Sequence, residues 1–271
     1  MTEIPKNAGP IIKGLIADAA EFDELVAGLP EQSWLLPTPA PGWTIRDQVA
    51  HVSFVFRLAG LAAADTAAFQ AATAKLNGGF SATVNAALAD YAGHTVEELS
   101  ARWRSERDTA IRALATVPHG RTVPWLVDPL PPDVLACAGM MELFGHGQDI
   151  ADTLGIRRRR TDRLRYLAGF GVRTWEFGYQ ARGLTPPESG FHFELIAPSG
   201  AVWEFGPDET GQRITGPVED FCLLVTRRRH RDDLELVASG ADADHWLDIA
   251  QAYRGPAGPG REPGQFSGRP S

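Results

Sequence analysis

Glu142 and His146 stand four residues apart in the run Met141-Glu142-Leu143-Phe144-Gly145-His146-Gly147-Gln148-Asp149-Ile150. On a helix this spacing puts carboxylate and imidazole on one face, where both can converge on a single point. Two donors do not close a metal site, so a third has to come from another helix. His51, in Val49-Ala50-His51-Val52, has few polar neighbours and is either a satisfied core histidine or that third donor. Two histidines and one carboxylate form a catalytic metal set with an open position, suited first to zinc and also to nickel, iron or manganese. An ion held this way acts as a Lewis acid or lowers the pKa of a bound oxygen or sulfur. The competing reading is an ordinary i,i+4 ion or hydrogen-bond pair on a solvated helix face. Asp149, three residues beyond His146, either hydrogen-bonds the second nitrogen of a ligating histidine and orients the ring or is an exposed acid near a helix end. Asp47, four residues before His51, is read first as a helix cap.

Little else in the chain competes as a site. There is no nucleophile-elbow pattern and no glycine-rich phosphate loop after a strand. His94 precedes a helix cap and reads as a surface residue, and His119, His192, His230 and His245 lie in loops or strands without partners at ligand spacing. The two cysteines, Cys137 and Cys222, read as small buried hydrophobes in a reduced protein. Lys plus Arg is 26 against Asp plus Glu 34, a net charge of −8. That balance speaks against nucleic-acid binding, and the Arg157–Arg160 run is read as a solvated linker following a helix end. The first residues lack a basic region followed by an apolar run, and no stretch approaches 18–20 apolar residues. The expectation is a cytoplasmic protein without a membrane partner, monomeric or homodimeric, acting on a small molecule.

The elements that must position these groups are helical in the first half. Ile11, Ile12, Leu15, Ile16, Phe22, Leu25 and Leu29 recur at mostly helical intervals. After the proline-punctuated loop 36–43, Thr44 caps a helix and Asp47 closes a short capping box; this helix is expected to run past Arg57 to near Phe69. Thr95 and Glu98 repeat the signal, with Leu99, Trp103, Ala110 and Leu114 lining one face. The segment Pro132 to Leu154 is helical and stops at Gly155. Thr161 is a candidate cap for a helix reaching Phe177. Together these predict a bundle of about four main helices. Beyond Gly183 strands are expected at 191–196, 201–206, 221–226 and 234–237, with a short helix over 246–253. The fold class is therefore α+β, divided as a helical bundle over 1–156, a linker helix and small α+β domain over 157–254, and a mobile tail over 255–271 unless it docks.

Trp34 together with Pro39-Ala40-Pro41-Gly42-Trp43-Thr44-Ile45-Arg46-Asp47-Gln48-Val49-Ala50-His51 resembles the opening of the DinB-like metal-binding four-helix bundles. The likeness is to the actinobacterial branch that includes mycothiol-dependent maleylpyruvate isomerase. The resemblance implies metal ligands at His51, Glu142 and His146, and a downstream sterol-carrier-like module. It also implies an arginine at the end of a strand through Phe221-Cys222-Leu223-Leu224-Val225 that clamps a substrate carboxylate; Arg228 matches best, with Arg227 beside it. Arg228 is otherwise part of a solvated basic edge. Trp203-Glu204-Phe205-Gly206-Pro207, Gly216-Pro217-Val218-Glu219-Asp220 and 246–253 look closer still to an actinobacterial group described only as metal-binding.

The implied function is a metal-dependent isomerase, transferase or lyase acting on an activated double bond of a small organic acid or thioester. A low-molecular-weight thiol such as mycothiol is its co-reactant, with Asp149 and Arg228 as assisting residues. A hydratase, lyase or cyclase using metal-activated water is the alternative. Further alternatives are a non-enzymatic carrier of a hydrophobic ligand with a structural metal, with Asp47 or Asp149 as fourth ligand, and a stress-response factor without a small-molecule substrate.

Overall fold

In the computed structural model, which describes residues 9–74 and 79–266, the first half of the chain is helical. Its helices are α1 (Pro10–Val26), α2 (Ile45–Ala64), α3 (Thr66–Thr73), α4 (Gly79–Ala89), α5 (Val96–Thr116) and α6 (Pro132–Leu154). Both expected capping boxes form. Thr44 accepts from the Asp47 amide while the Asp47 carboxylate takes the Thr44 amide, and Thr95 and Glu98 repeat the exchange. Each satisfies donors that the first helical turn leaves orphaned. α2 is shorter than its pattern suggests. Asp65 leaves the helical region (φ −147°, ψ 87°), and its side chain accepts from the Ala68 amide at 3.0 Å, so the continuation to Thr73 is a separate helix. Aspartate competes for backbone donors more effectively than alanine favours continuation.

α2 packs against α5 and α6, and α1 against the same two. Trp103 of α5 lies at the centre of this core. It is met edge-on by Phe22 at 5.3 Å and Phe56 at 5.2 Å between ring centroids. α2 and α5 approach closely at Gly60, where a Cβ would stand 3.3 Å from the Ala110 Cα. Ahead of α2, Pro37 and Thr44 form an isolated bridge, and Thr38 donates its amide to the Trp43 carbonyl at 2.7 Å. The tight turn between them uses Gly42 at φ +78°, a left-handed conformation that favours glycine. α6 ends at Gly155, also left-handed at φ +66°, as expected.

The chain divides into two compact units, Met1–Ile156 and Arg157–Ser271. The second holds α7 (Leu164–Arg173), α8 (Phe177–Gln180), β1 (His192–Ile196), β2 (Val202–Phe205), β3 (Arg213–Pro217), α9 (Val218–Val225), β4 (Val237–Ser239) and α10 (Ala241–Ile249). The sheet order is β2-β1-β3-β4, with β1 antiparallel to β2, β1 parallel to β3, and β3 antiparallel to β4. This is the α+β character expected after Gly183, with several local corrections. Residues 221–226 form no strand: 221–225 lie in α9. Its first turn carries Glu219 and Asp220, which complement the helix dipole, and Phe221 to Val225 are all buried. A continuous buried apolar run carries no period, so it reads equally as strand or helix.

β3 is the strand that the pattern hides. Ile214 is its one large apolar residue, fully buried, and Gly216 sits where a Cβ would be 2.6 Å from the Glu235 carbonyl. The strand expected at 234–237 is β4, shifted to Val237–Ser239. The helix expected from Thr161 to Phe177 breaks at Thr174, and Arg163 at its N-cap makes no side-chain cap. The last helix runs over Ala241–Ile249 rather than to Tyr253.

The core of this unit is aromatic. Trp246 lies 5.7, 5.6 and 6.1 Å from Phe191, Phe193 and Phe221, and its indole nitrogen donates to the Trp175 carbonyl at 2.9 Å. Part of the tail lies against the unit. Gly264 donates its amide to Asp233, and the Arg229 guanidinium covers the Phe266 ring at 3.8 Å. Residues 267–271 lie outside the described residues. Among the described residues no helix is long and apolar enough to cross a membrane.

Candidate metal centre

His51 lies on α2, two turns after the Thr44 cap, and Glu142 and His146 lie one turn apart on α6. The packing of α2 on α6 closes the distance between them. His146 Nε2 is 3.1 Å and His51 Nε2 is 3.6 Å from the same carboxylate oxygen, Glu142 Oε2. One donor atom from each residue lies within 4.8 Å of the other two, and no other cluster of this kind occurs among the described residues. The side chains are 15%, 20% and 13% exposed for His51, Glu142 and His146, too buried for a pair on a solvated face and still open to a small ligand. Burial pushes the Glu142 carboxyl up, but hydrogen bonds from His146 and His51 and their charge outweigh it and hold the group well below the usual carboxylate range.

The donor set fits a divalent ion. Ligands 2.0–2.1 Å from a tetrahedral centre stand about 3.3–3.4 Å apart, and the two separations here straddle that value. The buried surroundings also call for a shared positive charge. Two imidazole nitrogens and one carboxylate oxygen face one another, and without a proton or a cation between them their lone pairs repel. His51 Nδ1 is buried without a hydrogen-bond partner, whereas His146 Nδ1 is paired with Gln48 Oε1. The two histidines are therefore held differently.

Two contributors lie outside the residues that spacing singled out. Trp43, from the loop before α2, stacks on the His146 ring (5.8 Å between centroids, 15° between planes) and lies 5.2 Å from the His51 ring. It forms an apolar wall on the site. Gln48, fully buried one turn before His51, occupies the position on His146 Nδ1 that sequence reading offered to Asp149. No signal in the sequence separates Gln48 from a polar residue on a solvated face; its complete burial, which obliges the amide to find partners, is visible only in the fold. Asp149 is itself fully buried rather than exposed, with Oδ2 3.5 Å from Gln48 Nε2. Asp47 is committed to its cap: the Thr44 amide and hydroxyl donate to Asp47 Oδ2 at 2.8 and 2.7 Å.

Arg228 follows α9 in the second unit and donates from Nη1 to the Thr226 carbonyl at 2.6 Å, as part of a helix end rather than a strand end. Its neighbour Arg227 is the one described non-glycine residue in the left-handed region, at φ +57°. His192 is less isolated than its spacing suggested. It is buried in β1, with Glu194 and Asp208 carboxylates at 3.5 and 3.8 Å.

A family model described as the mycothiol maleylpyruvate isomerase N-terminal domain matches residues 16–151. An uncharacterized protein of Mycobacterium tuberculosis strain H37Rv is 43% identical over 258 residues, covering 94% of this chain and 99% of its own. Its counterpart in strain CDC 1551 / Oshkosh matches to the same extent. A crystal structure of the mycothiol-dependent maleylpyruvate isomerase superposes with a TM-score of 0.52 at 14% identity, over 79% of this chain and 86% of that one. A histidine-to-alanine mutant of that enzyme superposes with a TM-score of 0.51 at 13% identity and the same coverage. At these identities the likeness is one of fold: a helical region followed by a smaller α+β region.

Proposed function

The chain belongs to the family of the mycothiol maleylpyruvate isomerase N-terminal domain, and on that premise we propose that it is a metal-dependent enzyme acting on an activated double bond of a small organic acid or thioester. The reaction is an isomerisation or transfer that uses a low-molecular-weight thiol, of which mycothiol is the candidate the family name suggests. The observation that carries this reading is the convergence of His51, Glu142 and His146 on one point.

These three residues would hold the ion, with zinc the first candidate and nickel, iron or manganese compatible with the same donors. When bound, such an ion supplies Lewis acidity and lowers the pKa of a thiol or water that it coordinates. The chain's own contribution is to hold the donors in place and limit water. Glu142 stays ionised, so its charge offsets that of the cation. Trp43 covers the two imidazoles on one side and restricts solvent there. Arg228 is proposed as the clamp for a substrate carboxylate, through the paired donors of its guanidinium. Asp149 acts from behind the ligands rather than on the substrate. The second unit is proposed to be a sterol-carrier-like module.

The test is elemental analysis of chelator-free protein beside His51→Ala and Glu142→Ala, followed by thiol-dependent assays on enone and thioester substrates. About one zinc, nickel, iron or manganese per chain, lost in both variants, is the expected result. Turnover should then require the thiol. A wild-type protein that retains no metal after reconstitution overturns the reading. Turnover that is metal-dependent but indifferent to thiol replaces it with metal-activated water chemistry.

A further inference from the structure

The two imidazoles of the candidate metal centre are oriented by different means. A ligating histidine ordinarily gives its second ring nitrogen to a hydrogen-bond partner, which stops the ring from turning. His146 has one, Gln48 Oε1 at its Nδ1. His51 has none: its Nδ1 is buried and makes no hydrogen bond. Its Nε2 also stands farther from Glu142 Oε2, at 3.6 Å against 3.1 Å for His146. Rotation of an imidazole about Cβ–Cγ is soft, and a half-turn puts Cε1, a carbon that cannot ligate, where Nε2 stood. Two other rings confine His51 instead. The Trp43 indole lies 5.2 Å away with 57° between the planes, and the His146 ring lies 4.6 Å away at 47°. The same indole stacks on His146 at 15°, so one ring braces both imidazoles. Trp43 is itself fixed at the backbone. Its amide donates to the Ala40 carbonyl at 3.0 Å, closing a turn with Pro41 and Gly42 at its centre, Gly42 at φ +78°. Its carbonyl accepts from the Thr38 amide at 2.7 Å and from the Thr38 hydroxyl at 2.9 Å. With both main-chain groups bound, the indole projects from a stationary base.

We propose that Trp43 is a positioning residue whose ring takes the place of the missing hydrogen bond on His51 and holds that imidazole ready to ligate. The role rests on the metal-site reading for its purpose, while the confinement of the ring is a property of the metal-free protein. It asks more of Trp43 than an apolar wall does. An aliphatic side chain would keep water off equally well, but only a flat ring braces two imidazoles whose planes differ by 47°. Because His146 keeps Gln48, loss of the indole should free His51 first.

The experiment reads ring motion and metal affinity separately. Carbon-13 relaxation of the Cδ2–H and Cε1–H groups is measured in histidine-labelled, metal-free protein, with His51→Asn and His146→Asn assigning the signals. In wild type both rings should be rigid on the nanosecond scale. In Trp43→Leu the order parameters of His51 should fall while those of His146 hold, and in Trp43→Phe both should stay close to wild type. Trp43→Met serves if the leucine variant folds poorly. Zinc affinity against a competing chelator should fall about 10–100-fold in Trp43→Leu and be largely kept in Trp43→Phe. A wild-type His51 ring that is already mobile overturns the proposal without any variant. So does a His51 ring that stays rigid in Trp43→Leu, a loosening shared equally by both imidazoles, or a leucine variant that binds zinc as tightly as wild type. If wild type binds no zinc while His51 still loosens in Trp43→Leu, the bracing stands and the metal reading falls.

Discussion

The junction of α2 and α6 and the aromatic cluster of the second unit both bury large side chains, but they do so by different physics. Around Trp246, the rings of Phe191, Phe193 and Phe221 lie 5.7, 5.6 and 6.1 Å from the indole, whose nitrogen donates to the Trp175 carbonyl. Dispersion and solvent exclusion hold such a cluster and tolerate small rotations. At the α2–α6 junction Gln48 and Asp149 are fully buried, and Glu142, His51 and His146 are partly buried. Each of those groups depends on the direction of a hydrogen bond or the sharing of a charge. The contrast teaches where to look for function: the aromatic cluster is explained by packing alone, whereas the polar junction is costly to bury unless its groups pair with one another or share a cation.

That contrast gives predictions of decreasing size. Trp246→Ala should destabilise the protein by about 3–5 kcal/mol in urea unfolding, with zinc retained per folded chain unchanged. Loss of zinc in that variant would break the separation between packing and binding. A middle-sized effect is expected from acid. Because the folded-state pKa of Glu142 is depressed, its contribution to stability is fully present above the unfolded carboxylate value of about 4.3. That contribution is lost as the pH falls through the lower folded value. Metal-free wild type should therefore lose stability over that window, and Glu142→Gln should lose less; equal slopes in urea titrations would show that the carboxylate is not stabilised by its neighbours.

The smallest effect compares the two capping boxes. Thr44→Ala and Thr95→Ala should each cost about 0.5–2 kcal/mol. Only Thr44→Ala should also weaken zinc binding, by a few-fold, since it loosens the turn that carries Gln48. Matched zinc affinities in the two variants would confine Thr44 to helix stability.

The sequence by itself determined what depends on near neighbours. The two capping boxes span three residues, Glu142 and His146 are four apart, and Gly155 stops α6 one residue after its end. Helix geometry converts such spacings into positions without further information. Only the tertiary structure decided what depends on distant partners. Gln48 meets His146 across 98 residues of chain, and nothing local distinguishes it from a polar residue on a solvated face. The run Phe221–Val225 is apolar at every position, so burial on all sides erased the period that would have told helix from strand, and α9 formed because the first turn and the packing favoured it. β3 has one large buried apolar side chain and exists because β1 and β4 supply its hydrogen bonds from either side. Local periodicity is written in the residues that carry it; a pairing between α2 and α6, or among three strands, is fixed only when the whole core closes.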